Sequence, residues 1–398
     1  MDILIQNARL RNHEKLMNIG IKDGKIIEIA ENTTQKSNQT IDAKGNLVTE
    51  AFCNPHLHLC KVYTLEMMEQ DSLKSYHGNG MGAAMTAIEL AAKVKENYDA
   101  EWILPNVRKA LKLAAKNGNL YIRAFADVDS KAKLEGIKAL LQAKEEFKDI
   151  IDLQIVAFPQ DGVVREPGTI ELIDEAMKMG ADVVGGIPWI EFTKQNEQTH
   201  IDEMFKIAKK YNADISMLVD DAGDADLRTL EMFALKAIQE NWQGRVLSHH
   251  ARAMQLYTTP YFKKLVAILK KAQMGIVSDP HTGPLHAKVK ELLEEGVLVS
   301  FGQDDILDAY YPFGQNNMLE VAFLNVHILW MTTFPEIEKA YDMITHYPAK
   351  SMNISNYSLQ INNNANLVIH NVPTVREAIQ YHATPTYVIS HGKLLENK

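Results

Sequence analysis

Eight short apolar, β-rich runs separated by longer amphipathic stretches constrain this 398-residue chain more than any other feature. The runs are LVTEAFC (47–53), LYIRAFADVD (120–129), LQIVAFP (153–159), DVVGGI (182–187), DISMLVD (214–220), RVLSHH (245–250), MGIVSD (274–279) and VLVSFGQDD (297–305). Between them lie helical patterns such as AEWILPNVRKALKLAAKNG, where Gly118 is placed to end the helix. In DLRTLEMFALKAIQENW, Leu230, Phe233, Ala234 and Ile238 share one face. This alternation predicts an α/β fold, a (β/α)8 TIM-like barrel over residues 47–348.

The flanking segments have a different character. DILIQNARL and MNIGIKDGKIIEIAE form short strands, with Asp23-Gly24 a hairpin signal of the primed-turn type. Past Ala349, ANLVIHN and TYVISHGKLLE return to the same pattern, so 1–46 and 349–398 are expected to form one small β-sandwich. The stretch between Tyr63 and Glu96, which contains HGNGMGAAM, is longer than a barrel connection needs and is expected to be a lid or substrate loop.

In such a barrel the chemistry sits at the C-terminal strand ends. His56 and His58, two apart on an extended strand end, point to one side and can offer nitrogen to a single divalent ion. A lone His-x-His pair is more often surface or hydrogen-bonded core than ligand; its place on the first strand, ahead of further His and Asp at later strand ends, raises its weight. Asp304, ending the eighth run, can bind a metal and accept a proton from water, although Asp305 or Asp308 would serve equally as a helix cap. His249, ending the sixth run, can bind metal or steady an attacking hydroxide, while packing suffices for His250. Gln160 offers an amide to a ring edge or caps a turn. Asp221 is a candidate proton shuttle to a leaving amine; Asp220 fits a helix start better. Cys60 reads as a small buried residue.

Composition narrows the partners. A net charge of −9 with scattered lysines argues against a nucleic-acid or anionic-membrane partner, and a small-molecule ligand is the better expectation. Two cysteines, Cys53 and Cys60, provide neither a disulfide framework nor a thiolate zinc cage. With no signal-peptide pattern at the N-terminus and no apolar run of about 20 residues, a cytoplasmic location is expected.

NPHLHLCK, DLQIVAFPQDG, SHHARAM and FGQDDILDAYYPFGQNNML, followed by ITHYPAKSMN and NANLVI, together resemble bacterial cytosine deaminase and its relatives in the amidohydrolase superfamily. The resemblance covers nearly the whole chain. It implies metal ligands at His56, His58 and Asp304, a hydroxide-stabilising His249, a substrate amide at Gln160 and an aromatic pocket wall near Tyr310. The implied reaction is hydrolytic deamination at an amidine carbon of a nitrogen heterocycle, with zinc or iron as cofactor. Strand five departs from the pattern. Where the family has a metal-binding histidine and, three residues on, a glutamate, this chain has Leu218 and Asp221; a further family histidine on strand two appears as Phe125 or Ala126. The expected ligand set is therefore His56, His58, His249 and Asp304, with a homo-oligomer plausible for the family. A catalytically silent barrel that binds a heterocycle or a protein partner is the competing function, favoured by Leu218 and opposed by the retention of His56, His58, Gln160, His249 and Asp304.

Overall fold

The N-terminal segment folds as β1 (Ile3–Ala8), β2 (Met17–Lys22), β3 (Lys25–Ala30) and β4 (Gln39–Asp42), a sheet in the order β3-β2-β1-β4. Asp23 and Gly24 join β2 to β3 with φ of 49° and 76°, the left-handed pair that a primed two-residue turn requires. In this computed structural model residues 1–67, 92–279 and 284–395 are described. The HGNGMGAAM stretch expected to form a lid lies outside them.

The first apolar run divides. Its front half, β5 (Val48–Glu50), leaves the barrel to pair antiparallel with a C-terminal strand, and only its end enters β6 (Phe52–Leu57), the first barrel strand. A continuous apolar run carries no mark of where the chain changes sheets, because both partners bury it. Seven parallel strands follow: β7 (Asn119–Asp127), β8 (Asp152–Phe158), β9 (Val183–Gly186), β10 (Asp214–Val219), β11 (Val246–His250), β12 (Gly275–Ser278) and β13 (Val299–Phe301). They stand in sequence order. The ring closes between its first and last strands by a parallel bridge, Leu57 to Asp304. Two backbone bonds make that seam, His58 N–H to the Asp304 carbonyl at 2.8 Å and Asp304 N–H to the His56 carbonyl at 2.9 Å.

Helices α1 (Ala100–Lys116), α2 (Glu135–Phe147), α3 (Thr169–Met179), α4 (Lys194–Tyr211), α5 (Thr229–Gln239), α6 (Thr259–Ala272) and α7 (Val289–Glu294) alternate with the strands. α8 (Met318–Ile328), α9 (Phe334–Asp342) and α10 (His346–Ser351) follow the last of them. Capping chemistry sets the ends: the Asp99 carboxylate accepts the Glu101 N–H at 2.8 Å to start α1, and Gly118 stops the chain beyond it at φ 74°. On α5, Leu230, Phe233 and Ala234 are buried as their spacing predicts.

The chain ends as β14 (Leu367–Ile369), α11 (Val375–Tyr381), β15 (Tyr387–Ser390) and β16 (Lys393–Leu394), with the second small sheet ordered β16-β15-β14-β5. Ile5, Ile19, Ile21 and Ile26 of the first small sheet share a buried core with Val48, Leu367, Ile369 and Ile389 of the second. Segments from both ends of the chain thus cover one apolar layer, as expected of the small sandwich. Among the described residues no helix is long and apolar enough to cross a membrane.

Candidate active site and metal centre

The barrel seam brings three side chains together. His56 Nε2 lies 3.2 Å from His58 Nε2 and 3.3 Å from Asp304 Oδ1, and His58 Nε2 lies 3.5 Å from the same oxygen. Ligands about 2.0–2.1 Å from a tetrahedral zinc stand roughly 3.3 Å apart, so these three donor atoms have the spacing of one face of such a site. All three residues are buried. Burial first, then Lys61 and the neighbouring histidines, pushes the His58 pKa well down and keeps the ring in its neutral, ligating form. The Asp304 carboxyl is pushed well above its ordinary range by burial and by Asp305, Asp279 and Asp221, with Arg252 opposing. Such a buried excess of carboxylates is what a cation relieves.

His249 does not join this group. Its Nδ1 lies 2.9 Å from His56 Nδ1, the nitrogen on the far side of the His56 ring from His58 and Asp304. The expectation of His249 as fourth ligand is corrected accordingly: β11 carries it against the back of His56 rather than toward the shared donor face. Asp279 stands on the same side, its Oδ2 at 3.4 Å from His56 Nδ1 and 3.5 Å from His250 Nδ1. His56, His250 and Asp279 thereby form a second group of metal-ligating type. With Nε2 presented to the donor face, His56 has its Nδ1–H to give to His249 or Asp279, the outer contact that fixes a ligating ring's tautomer.

Apolar side chains pack around the His56 and His58 rings. Phe125 stacks on His56 with ring centroids 4.5 Å apart and planes 25° apart, and stands edge-on to His249 at 5.1 Å. Phe158 packs against His58 at 5.4 Å. Leu218, 4% exposed, belongs to the same cluster, along with Val156, Val183, Ile187, Trp189 and Ile190. Phe125 and Phe158 hold the His56 and His58 rings by packing.

Asp220 and Asp221 part company at the end of β10. The Asp220 carboxylate accepts the Thr229 N–H at 2.6 Å, the Thr229 hydroxyl at 2.7 Å and the Tyr257 hydroxyl at 2.6 Å, so it caps α5. Asp221 instead accepts a bond from Arg252 Nε. Burial raises its pKa, while Arg252 and His56 lower it and Asp279 raises it again.

Gln160, just past β8, is 4% exposed and accepts a bond from Lys61 Nζ through Oε1 at 2.9 Å. The same ammonium sits 4.8 Å from the centroid of the Tyr310 ring and 3.7 Å from Asp127 Oδ1. Burial opposes its charge, but Asp127, Tyr310 and Asp305 hold its pKa above the ordinary lysine value. Gln160 and Tyr310, both expected at the substrate, are thus joined by a residue the sequence reading passed over. Lys61, Asp279 and Arg252 all lie inside or at the end of segments already singled out, NPHLHLCK, MGIVSD and SHHARAM. The strand-end rule would have found Asp279; nothing local distinguishes a buried lysine or arginine from an exposed one.

Residues 39–395 match the amidohydrolase family. Over 398 residues the chain is 31% identical to the N-isopropylammelide isopropyl amidohydrolase of Pseudomonas sp. (strain ADP), covering 99% of this chain and 97% of that protein. A 5-methylcytosine deaminase from Klebsiella pneumoniae, crystallised with 5-fluorocytosine, superimposes with a TM-score of 0.91 at 30% identity, covering 99% of this chain and 97% of its own. An atrazine chlorohydrolase from Arthrobacter aurescens TC1 complexed with zinc shares the fold, with a TM-score of 0.71 at 16% identity over 99% of this chain and 95% of its own. A family match that runs from the first small sheet through the barrel to the last strand, with a seam of His and Asp at its mouth, places this chain in the amidohydrolase family.

Proposed function

We propose that this protein is a metal-dependent deaminase that releases ammonia from an amidine carbon of a small nitrogen heterocycle of the cytosine class. The observation that carries it is the buried trio His56, His58 and Asp304, with donor atoms 3.2–3.5 Å apart on the barrel seam. The 30% identity to a 5-methylcytosine deaminase supports the ring class.

His56, His58 and Asp304 would hold the ion, zinc or iron on the chemistry of a two-nitrogen, one-oxygen donor set. When bound, such an ion supplies Lewis acidity and lowers the pKa of a water molecule. The chain's own groups do the rest. Asp304 takes the proton of the attacking water on its carboxylate. Asp221, held by Arg252, delivers a proton to the departing nitrogen, and burial moves its pKa in the direction an acid needs. His249 acts on His56 through the Nδ1 contact, fixing which ring nitrogen is free to bind. Gln160 and the Tyr310 ring hold the heterocycle. In balance, one water and the amidine carbon's C–NH2 give C=O and ammonia.

The test is ammonia release from a panel of aminopyrimidines and aminotriazines by protein loaded with zinc or iron. His58→Ala is expected to lower both bound metal and turnover, the latter by at least about 1,000-fold, with the melting temperature of the metal-free protein unchanged. Full turnover by that variant removes His58 from the mechanism. Loaded wild-type protein that binds these rings without releasing ammonia would instead be the silent barrel.

A further inference from the structure

We infer that Lys61 is a specificity-determining positioning residue: by holding the Gln160 carbonyl it leaves only N–H donors facing the substrate, so the ring must present an acceptor there, a carbonyl rather than an amino group. This rests on the proposed deaminase reading of the site.

An ammonium has three donors and no acceptor, so it accepts nothing from an amide NH2 and binds only the Oε1 end of Gln160. Flipping the amide would set two positive-ended groups against each other in a buried site. Lys61 is itself fixed, 4% exposed, between Asp127 at 3.7 Å and the Tyr310 ring at 4.8 Å. Its charge therefore cannot turn away to release the amide. What remains of Gln160 is Nε2, which makes no hydrogen bond to another described residue and keeps some exposure. Gln160 lies two residues beyond Phe158, which packs on the His58 ring. A donor held in one orientation discriminates between rings, because a ring lacking the matching acceptor leaves it unpaired. A ring with an amino group at that place would set donor against donor.

The test compares two rings on one skeleton, 2-oxo-4-aminopyrimidine and 2,4-diaminopyrimidine, by kcat/KM for ammonia release. Wild-type protein is expected to prefer the oxo ring by about 100-fold. Lys61→Met frees the amide to rotate and should shrink the preference to within about 3-fold. Gln160→Glu keeps the bond to Lys61 but leaves a bare oxygen toward the ring, and the preference should invert. Each variant is judged on a ratio measured within one preparation, so partial folding or metal loss cancels. A preference retained in both variants overturns the inference. Should neither ring release ammonia, the deaminase reading fails on its own, and calorimetric affinities of the same two rings decide the donor polarity: equal affinities in wild-type protein overturn it.

Discussion

Gly302 lies where the seam is tightest. A Cβ on it would stand 2.3 Å from Asp279 Oδ1 and 2.8 Å from the His56 Cβ, closer than any side chain tolerates. Glycine at this place lets the end of β13 pass behind His56 while Asp279 keeps its position. Gly302→Ala is therefore expected to destabilise the fold by about 1–3 kcal/mol and to reduce retained metal, since His56 must shift. Chemical denaturation and metal analysis on the same preparation check this, and a variant matching wild type in both would show that the seam relaxes freely. His56, His58, Gln160, Asp221 and Asp304 were all legible in the sequence as polar groups at strand ends. Their partners were not. Asp221 reaches Arg252, 31 positions on, and His56 reaches His249, 193 positions on. Side-chain direction decides such pairs, and a spacing pattern carries no side-chain direction.

Among the elements around the barrel mouth, the loops after β8 and β9 are tied by one buried carboxylate. Glu191 accepts the N–H groups of Val163 at 2.7 Å, Val164 at 3.1 Å and Arg165 at 2.9 Å, and meets His200 Nδ1 of α4 at 2.8 Å. His200 Nε2 in turn accepts the Ile187 N–H at 3.0 Å, which requires the proton on Nδ1 and a neutral ring. Burial, working against Glu191, lowers the His200 pKa and keeps it so. Glu191→Ala strands three backbone donors and one ring N–H. A loss of about 2–4 kcal/mol is expected, with hydrogen exchange at 163–165 accelerated beyond that of the barrel strands. Exchange unchanged at these amides would mean that the loop holds without the carboxylate. The barrel elements were readable because eight apolar runs and their intervening helices are local patterns. This clasp joins residues 28 apart whose local context is an ordinary loop and helix.

For the molecule as a whole, acid is the condition that sets folded against unfolded. His370 is buried against Tyr341, with His370 Nε2 and the Tyr341 hydroxyl 3.0 Å apart, and burial lowers its pKa to about 4. In the unfolded chain a histidine titrates near about 6.5. Between these values the unfolded state binds the proton and the folded state does not. The contribution of His370 to stability is therefore complete above about pH 6.5 and is lost as pH falls toward about 4. His200, with its pKa lowered as well, adds in the same direction. Melting temperature measured from pH 8 to pH 4 should fall across that window, and His370→Asn should flatten the fall. An equal slope in the variant would show that His370 does not drive the acid sensitivity.

His56 and His58 at the end of the first barrel strand, the eight-run alternation and the ordered family motifs follow from the sequence alone, because period, spacing and residue chemistry are local properties of a chain. Tertiary structure alone decided that run 47–53 serves two sheets, that His249 stands behind His56 instead of beside Asp304, that Phe125 and Leu218 share one apolar cluster, and that Lys61 claims the oxygen of Gln160. Each depends on which atoms the closing barrel brings within about 3–4 Å of one another. That is a property of a closed ring of strands, and no window of sequence contains it.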